Sequence, residues 1–148
     1  MYLPLGLTGR SVLTVTDADT AAAVGSGDVP VLATPRLLAL AEAATVDAIR
    51  EALPAELTTV GVRVEVAHQL PTPVGATATA TATLDTVDGR ALRFTVVVRD
   101  DVESDDPGDS GTGDGRIVAE AVVERAAIDR ARFLARLDPR GTTNEGAR

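Results

Sequence analysis

The sequence contains no cysteine, no lysine and no tryptophan, and it has only one histidine. Without cysteine there is no disulfide, no thiolate nucleophile and no cysteine-ligated zinc. Without lysine there is no Schiff-base chemistry. Aromatic residues make up 2% of the chain, so the core has to be built from Val, Leu, Ile and Ala. That scarcity also removes the platforms on which bases stack, and no basic stripe runs along the chain, so a nucleic-acid partner is not expected. No apolar run approaches the ~20 residues of a membrane span. Met1 to Arg10 lacks the charged-then-apolar order of a signal peptide. These absences lead to the expectation of a soluble cytoplasmic protein with no membrane attachment. One histidine and scattered carboxylates make a poor zinc set, so neither metal nor cofactor is expected.

The formal charge is −8, but it is unevenly spread. Residues 100–115 hold seven acids and no base (Asp100, Asp101, Glu103, Asp105, Asp106, Asp109 and Asp114). The remainder is nearly neutral, so the total does not argue against an anionic ligand. This acidic, glycine-rich stretch reads as a mobile hairpin loop within a single domain over 1–140, followed by a flexible tail over 141–148. Its aspartates lack the alternation and terminal Glu of a calcium loop.

Residues 11–16 read as a first strand. Thr34 is a good N-cap, Pro35 suits the first helical turn, and the apolar pattern then runs to about Leu53, where Pro54 ends the helix. Strand character follows at 58–68, 76–87, 91–99 and 116–124 or slightly beyond, with Asp88-Gly89 as a hairpin turn. Ala76, Ala78, Ala80 and Ala82 offer a low face on which a helix can lie closely. Long antiparallel strands, one long helix and no βαβ rhythm give an α+β domain.

Three side chains stand out against this pattern. Glu42 falls within or at the edge of the stripe formed by Leu38, Ala41, Thr45 and Ile49, where a carboxylate loses hydration unless a donor compensates. Alternatively it is a helix-edge Glu that reaches water or pairs with an arginine. His68 continues the even-numbered register of Val60, Val62, Val64 and Val66, which points it at the face the helix covers. Its imidazole titrates near neutrality and suits proton transfer. A core histidine bonded to a backbone carbonyl is the alternative, but with Glu42 on the helix that covers the same face the two are expected to approach one another across the helix–sheet contact. Thr34 is an ordinary cap by itself, yet a helix N-terminus also gathers unpaired N–H groups able to hold a polarised oxygen. Gly61 marks a bulge, a close approach of ligand to backbone, or simple packing. Arg125 shares the odd-numbered parity of Ile117, Ala119, Ala121 and Val123, so it points inward unless a bulge turns it out. No Gly-x-Ser-x-Gly elbow and no phosphate-binding glycine loop is present.

With these residues in hand, the chain resembles the fluoroacetyl-CoA thioesterase-like branch of the hot-dog superfamily. The resemblance rests on Val31-Leu32-Ala33-Thr34 with Glu42 eight residues later, and on Gly61 seven residues before His68. It rests also on Val66-Ala67-His68 running into Thr72-Pro73-Val74-Gly75, and on Glu124-Arg125-Ala126-Ala127-Ile128 with Phe133 as a closing strand. It implies a hot-dog fold, a long helix wrapped by a mostly antiparallel sheet of about five strands. It implies a homodimer that binds acyl-CoA near the subunit interface. It further implies a Thr34–His68–Glu42 constellation that hydrolyses the thioester to free acid and CoA, with Gly61 and Arg125 beside the substrate. Glu42 is then either nucleophile or general base. The fluoroacetyl-CoA enzyme carries aromatics just before its Thr, whereas Gly25 to Ala33 has none and Asp28 stands six residues before Thr34. A short or medium acyl group other than fluoroacetyl is therefore expected. A hot-dog hydratase or dehydratase, and a non-catalytic acyl-CoA-binding dimer, are the alternatives.

Overall fold

The computed structural model describes residues 1–104 and 115–139; most of the acidic loop and the 141–148 tail lie outside them. Five strands, β1 (Thr8–Thr14), β2 (Leu57–His68), β3 (Thr77–Asp88), β4 (Ala91–Asp100) and β5 (Arg116–Asp129), form one antiparallel sheet in the order β1-β3-β4-β5-β2. A 3₁₀ turn at Asp17–Asp19 and the short helix α1 (Ala21–Val24) lead into the long helix α2 (Thr34–Ile49), and α3 (Arg130–Leu137) follows β5. This is the helix-in-sheet arrangement of the hot-dog fold. No helix among the described residues is long and apolar enough to cross a membrane.

α2 lies against β1, β3 and β4, and the small residues of those strands are what let it in. Ala78, Ala80 and Ala82 are fully buried beneath it. At Gly9 a Cβ would stand 2.2 Å from the Ala48 backbone nitrogen and 2.4 Å from the Ala44 carbonyl oxygen. Helix and strand backbones thus touch almost directly, as only glycine allows. Leu37, Leu40 and Ile49 from α2 close over Phe94, Val96, Val98 and Val123 from the sheet. Each such side chain contributes on the order of 1.5–3 kcal/mol when buried from water.

Several boundaries differ from the sequence pattern. Thr34 is the first helical residue and Ala33 the cap, so Thr34's hydroxyl is free for another partner. α2 ends at Ile49, and the residues up to Pro54 form turns. The buried stripe includes Leu37, Leu40, Ala44 and Ala48, while Leu38 is only half-buried. β5 continues through Glu124–Ile128 to Asp129, and Phe133 belongs to α3 rather than to the closing strand. Asp100 is the last residue of β4, with its carboxylate wholly buried, and is no part of a solvated loop.

The largest correction concerns β2. Its register slips between Gly61 and Arg63, which leaves Val62 as an extra residue, 61% exposed. A bulge reverses the facing of everything before it. Thr59 and Gly61 consequently face the helix together with Val64, Val66 and His68, as their inward partners Ala127, Arg125, Val123, Ala121 and Ala119 show. Val60 and Val62 leave the buried set in which strict alternation places them.

Candidate active site

β2 carries two clusters on its helix-facing side, one on each side of the bulge. The first centres on Arg125 of β5, directly opposite Gly61. Arg125 is buried (7% exposed) and its guanidinium is fully engaged. Nη1 donates to Glu42 Oε2 at 2.9 Å, Nε to Thr59 Oγ1 at 2.9 Å, and Nη2 to the Thr59 carbonyl at 3.1 Å. Arg125 points inward because β5 alternates without interruption from Ala119 to Arg125: its own irregularity, against β4, lies earlier at Val118 and takes Ile117 out of that parity, and the irregularity in its pairing with β2 lies on β2. Burial of a guanidinium is tolerable only with such partners. Glu42 keeps about a third of its side chain exposed (32%), so its carboxylate reaches solvent and is not sealed in the core. Gly61 is the reason it fits: a Cβ there would stand 2.3 Å from Glu42 Oε2. Between bulge, packing and ligand approach, the observed role of Gly61 joins the first two.

The second cluster sits at the far end of β2. His68 Nδ1 and Thr34 Oγ1 are 2.8 Å apart. His68 Nε2 is buried and has no hydrogen-bond partner, the one such side-chain atom among the described residues. Burial lowers the His68 pKa below its ordinary value, opposed only in part by the nearby backbone of Leu70. The imidazole is accordingly neutral near pH 7. A neutral ring that accepts the Thr34 O–H at Nδ1 carries its proton on Nε2, which is then a buried donor without a protein partner.

A buried network fixes this second cluster. Asp100 takes a bidentate pair of bonds from Arg116 (Nε 2.8 Å, Nη2 3.0 Å) and a 2.6 Å bond from Thr72 Oγ1. Arg116 also donates to the Pro71 carbonyl at 2.5 Å. The Thr72 carbonyl in turn accepts from Leu32 N–H at 2.9 Å, two residues before Thr34. The segment after His68 and the segment before Thr34 are thereby tied to one anchor. Nothing in the sequence pattern singles out Asp100 or Arg116, since they are joined only by the β4–β5 pairing.

Within one chain the two clusters do not meet. No hydrogen bond or ion pair joins Glu42 to His68, and eight helical residues from Thr34 to Glu42 span about 12 Å. The approach of Glu42 to His68 across the helix–sheet contact, expected from the patterns, is absent inside a single chain. Among the described residues no group of three or more His, Cys, Asp or Glu is disposed to hold a metal ion.

The model of the fluoroacetyl-CoA-specific thioesterase family matches residues 15–106, a span that includes Thr34, Glu42, Gly61 and His68 and stops before Arg125. Among solved structures, a point mutant of the fluoroacetyl-CoA thioesterase FlK in complex with acetyl-CoA is 25% identical with a TM-score of 0.78, covering 96% of this chain and 100% of that one. The FlK structure described for its activity and substrate specificity is 26% identical, with a TM-score of 0.77 and coverage of 97% and 100%. A Thermus thermophilus hypothetical protein, a thioesterase superfamily member, shares the fold at 20% identity and a TM-score of 0.77 over 90% of each chain. A search of curated proteins gives no match.

Proposed function

This chain belongs to the fluoroacetyl-CoA-specific thioesterase family and has the hot-dog thioesterase fold, and from that premise we propose that it hydrolyses a short or medium acyl-CoA as a cytoplasmic homodimer with two composite sites. The observation that carries the reading is the buried, unpartnered Nε2 of His68. A desolvated donor without an acceptor costs on the order of 1–3 kcal/mol, a cost that a substrate oxygen removes.

The dimer is supported by β2. It is a 12-residue edge strand with half-buried valines and Val62 exposed, the kind of edge that a soluble protein covers. Antiparallel pairing of two β2 strands about Glu65 sets Gly61 of one copy opposite His68 of the other, on the same face once the bulge at Val62 is counted. The partner's Glu42 then comes beside the Thr34–His68 pair. That arrangement joins the two clusters that one chain keeps apart.

In this site the thioester carbonyl takes the hydrogen bond from His68 Nε2, whose ring Thr34 holds from the other side. The charge that develops on oxygen is stabilised by a donor already in place. The partner's Glu42, oriented by Arg125 and Gly61 of its own chain, removes a proton from the attacking water. The tetrahedral intermediate collapses with cleavage of the C–S bond, and the departing CoA thiolate takes the proton that Glu42 removed from water, so that carboxylic acid and thiol leave and Glu42 returns to its carboxylate form. Absence of aromatics between Gly25 and Ala33 supports an acyl group less closely enclosed than fluoroacetyl.

The test is thiol release from a panel of acyl-CoA esters by the wild-type protein and by Glu42→Gln and His68→Gln. Each substitution is expected to lower kcat by roughly 10²–10⁴-fold. A heterodimer formed from one Glu42→Gln chain and one His68→Gln chain is expected to regain one intact site and about half the activity per dimer. Thiol release that survives both substitutions overturns the assignment. Binding without release from any ester favours a non-catalytic acyl-CoA protein, and hydration of an enoyl-CoA without release favours a hydratase.

A further inference from the structure

We propose that the arginine-lined cleft between α3 and the β3–β4 turn binds the phosphorylated nucleotide of the CoA substrate. The inference rests on the thioesterase reading and names the part of the molecule that recognises the carrier.

The cleft measures about 820 Å³ and is flanked by Arg90, Arg132 and Arg136. Arg36, Arg50, Arg63, Arg116 and Arg125 are each paired with a carboxylate. Arg90, Arg132 and Arg136 form no ion pair with any described residue, a state shared by Arg10, Arg93, Arg99 and Arg130; what sets the three apart is that they line one cleft together, in a chain whose formal charge is −8. Arg132 and Arg136 lie four residues apart on α3, a spacing at which like charges disfavour the helix unless an anion sits between them. Two acids share the lining, Glu56 and Asp129. The Asp129 carboxylate is engaged in capping α3 through Arg132 N–H at 2.9 Å. The floor is apolar: Leu57 and Ile128 meet Phe133, one of three aromatics in the chain. Guanidinium forks match phosphate oxygens, and an aromatic ring on an apolar floor matches the flat face of a purine.

The distance also fits. Gly61 touches the Glu42 carboxylate, and Leu57 of the cleft lies four residues further along the same strand, about 13 Å away at the rise of a β-strand. A pantetheine arm is a linear chain that spans such a distance between thioester and diphosphate. The cleft is thus placed to hold the charged end of a substrate whose acyl end reaches Glu42.

The experiment compares two esters of the same acid, acyl-CoA and acyl-pantetheine, which differ only in the phosphorylated nucleotide. With Arg132→Ala and Arg136→Ala the ratio of kcat/KM for acyl-CoA over acyl-pantetheine is expected to fall about tenfold per arginine, the size of one charge-assisted contact, and further with Arg136→Glu. All these side chains are exposed, so the fold is retained, which a melting curve verifies. A ratio within twofold of wild type in the double variant overturns the proposal. If wild type hydrolyses neither ester, the thioesterase reading fails, and calorimetric titration with CoA itself still decides the cleft. Binding about tenfold weaker in each variant supports it, and equal binding refutes it.

Discussion

Gly61→Ala isolates the position of one carboxylate. The added methyl would stand 2.3 Å from Glu42 Oε2, 3.4 Å from Glu42 Cδ and 3.6 Å from Arg125 Nη1. Only the first contact is impossible, and relieving it to ordinary contact at 3.4 Å moves the carboxylate by about 1 Å. The atom that yields is the end of a flexible side chain with a third of its surface in solvent, so it rehydrates as it leaves. Arg125 keeps both bonds to Thr59. After solvent screening, the weakened ion pair is expected to cost on the order of 1 kcal/mol, which lowers Tm by about 3 °C. Turnover is far more sensitive, because a 1 Å misplacement of a reacting group can cost roughly 10²-fold in rate. Gly61→Ala should therefore fold and melt nearly as wild type while kcat for acyl-CoA thiol release falls about 10²-fold. Gly9→Ala is the contrasting control. Its methyl meets the backbone of Ala44 and Ala48, which cannot yield without shifting α2, so that variant should lose several kcal/mol of stability as a badly overpacked core does. A Gly61→Ala protein whose crystal structure shows the displaced carboxylate, yet whose kcat stays within twofold of wild type, would refute the placement of Glu42 in the chemistry.

His68 gives a pH signature that its uniqueness makes easy to read. Its folded pKa lies below the ordinary imidazole value of about 6.5, so between the two values the unfolded chain binds more protons and stability falls as pH drops below that ordinary value. Acid titration of the sole imidazole by NMR should show the lowered pKa, activity should decline on the same acid limb, and His68→Gln should lose this part of the stability profile. Asp100→Ala strands Arg116 in a site where it is only 19% exposed, and a loss of about 3 kcal/mol is expected in urea denaturation. Thr72→Val leaves that ion pair in place but frees the segment that holds His68 and Leu32. A fall in kcat that Thr72→Ser restores marks Thr72 as a positioning residue; equal kcat in both variants shows that the network is structural only.

What the sequence determined is everything that depends on local spacing. Alternation marked the strands, Pro54 and the apolar period bounded the helix to within a few residues, and the Ala row of β3 announced a close helix contact. Glu42 and His68 were legible as polar side chains on apolar faces, and Thr34 as the residue that opens the helix. Tertiary structure decided what no local period encodes. A single extra residue at Val62 reversed the facing of half of β2, brought Gly61 under Glu42, and removed Val60 from the inward set. Strand pairing between β2 and β5 supplied Arg125 as the partner of Glu42, across 83 residues of sequence. The same pairing logic joined Asp100, Arg116 and Thr72 into a buried anchor. Periodicity reports which face a residue prefers, whereas contacts between distant segments depend on register, and register is set only when the whole sheet closes around its helix.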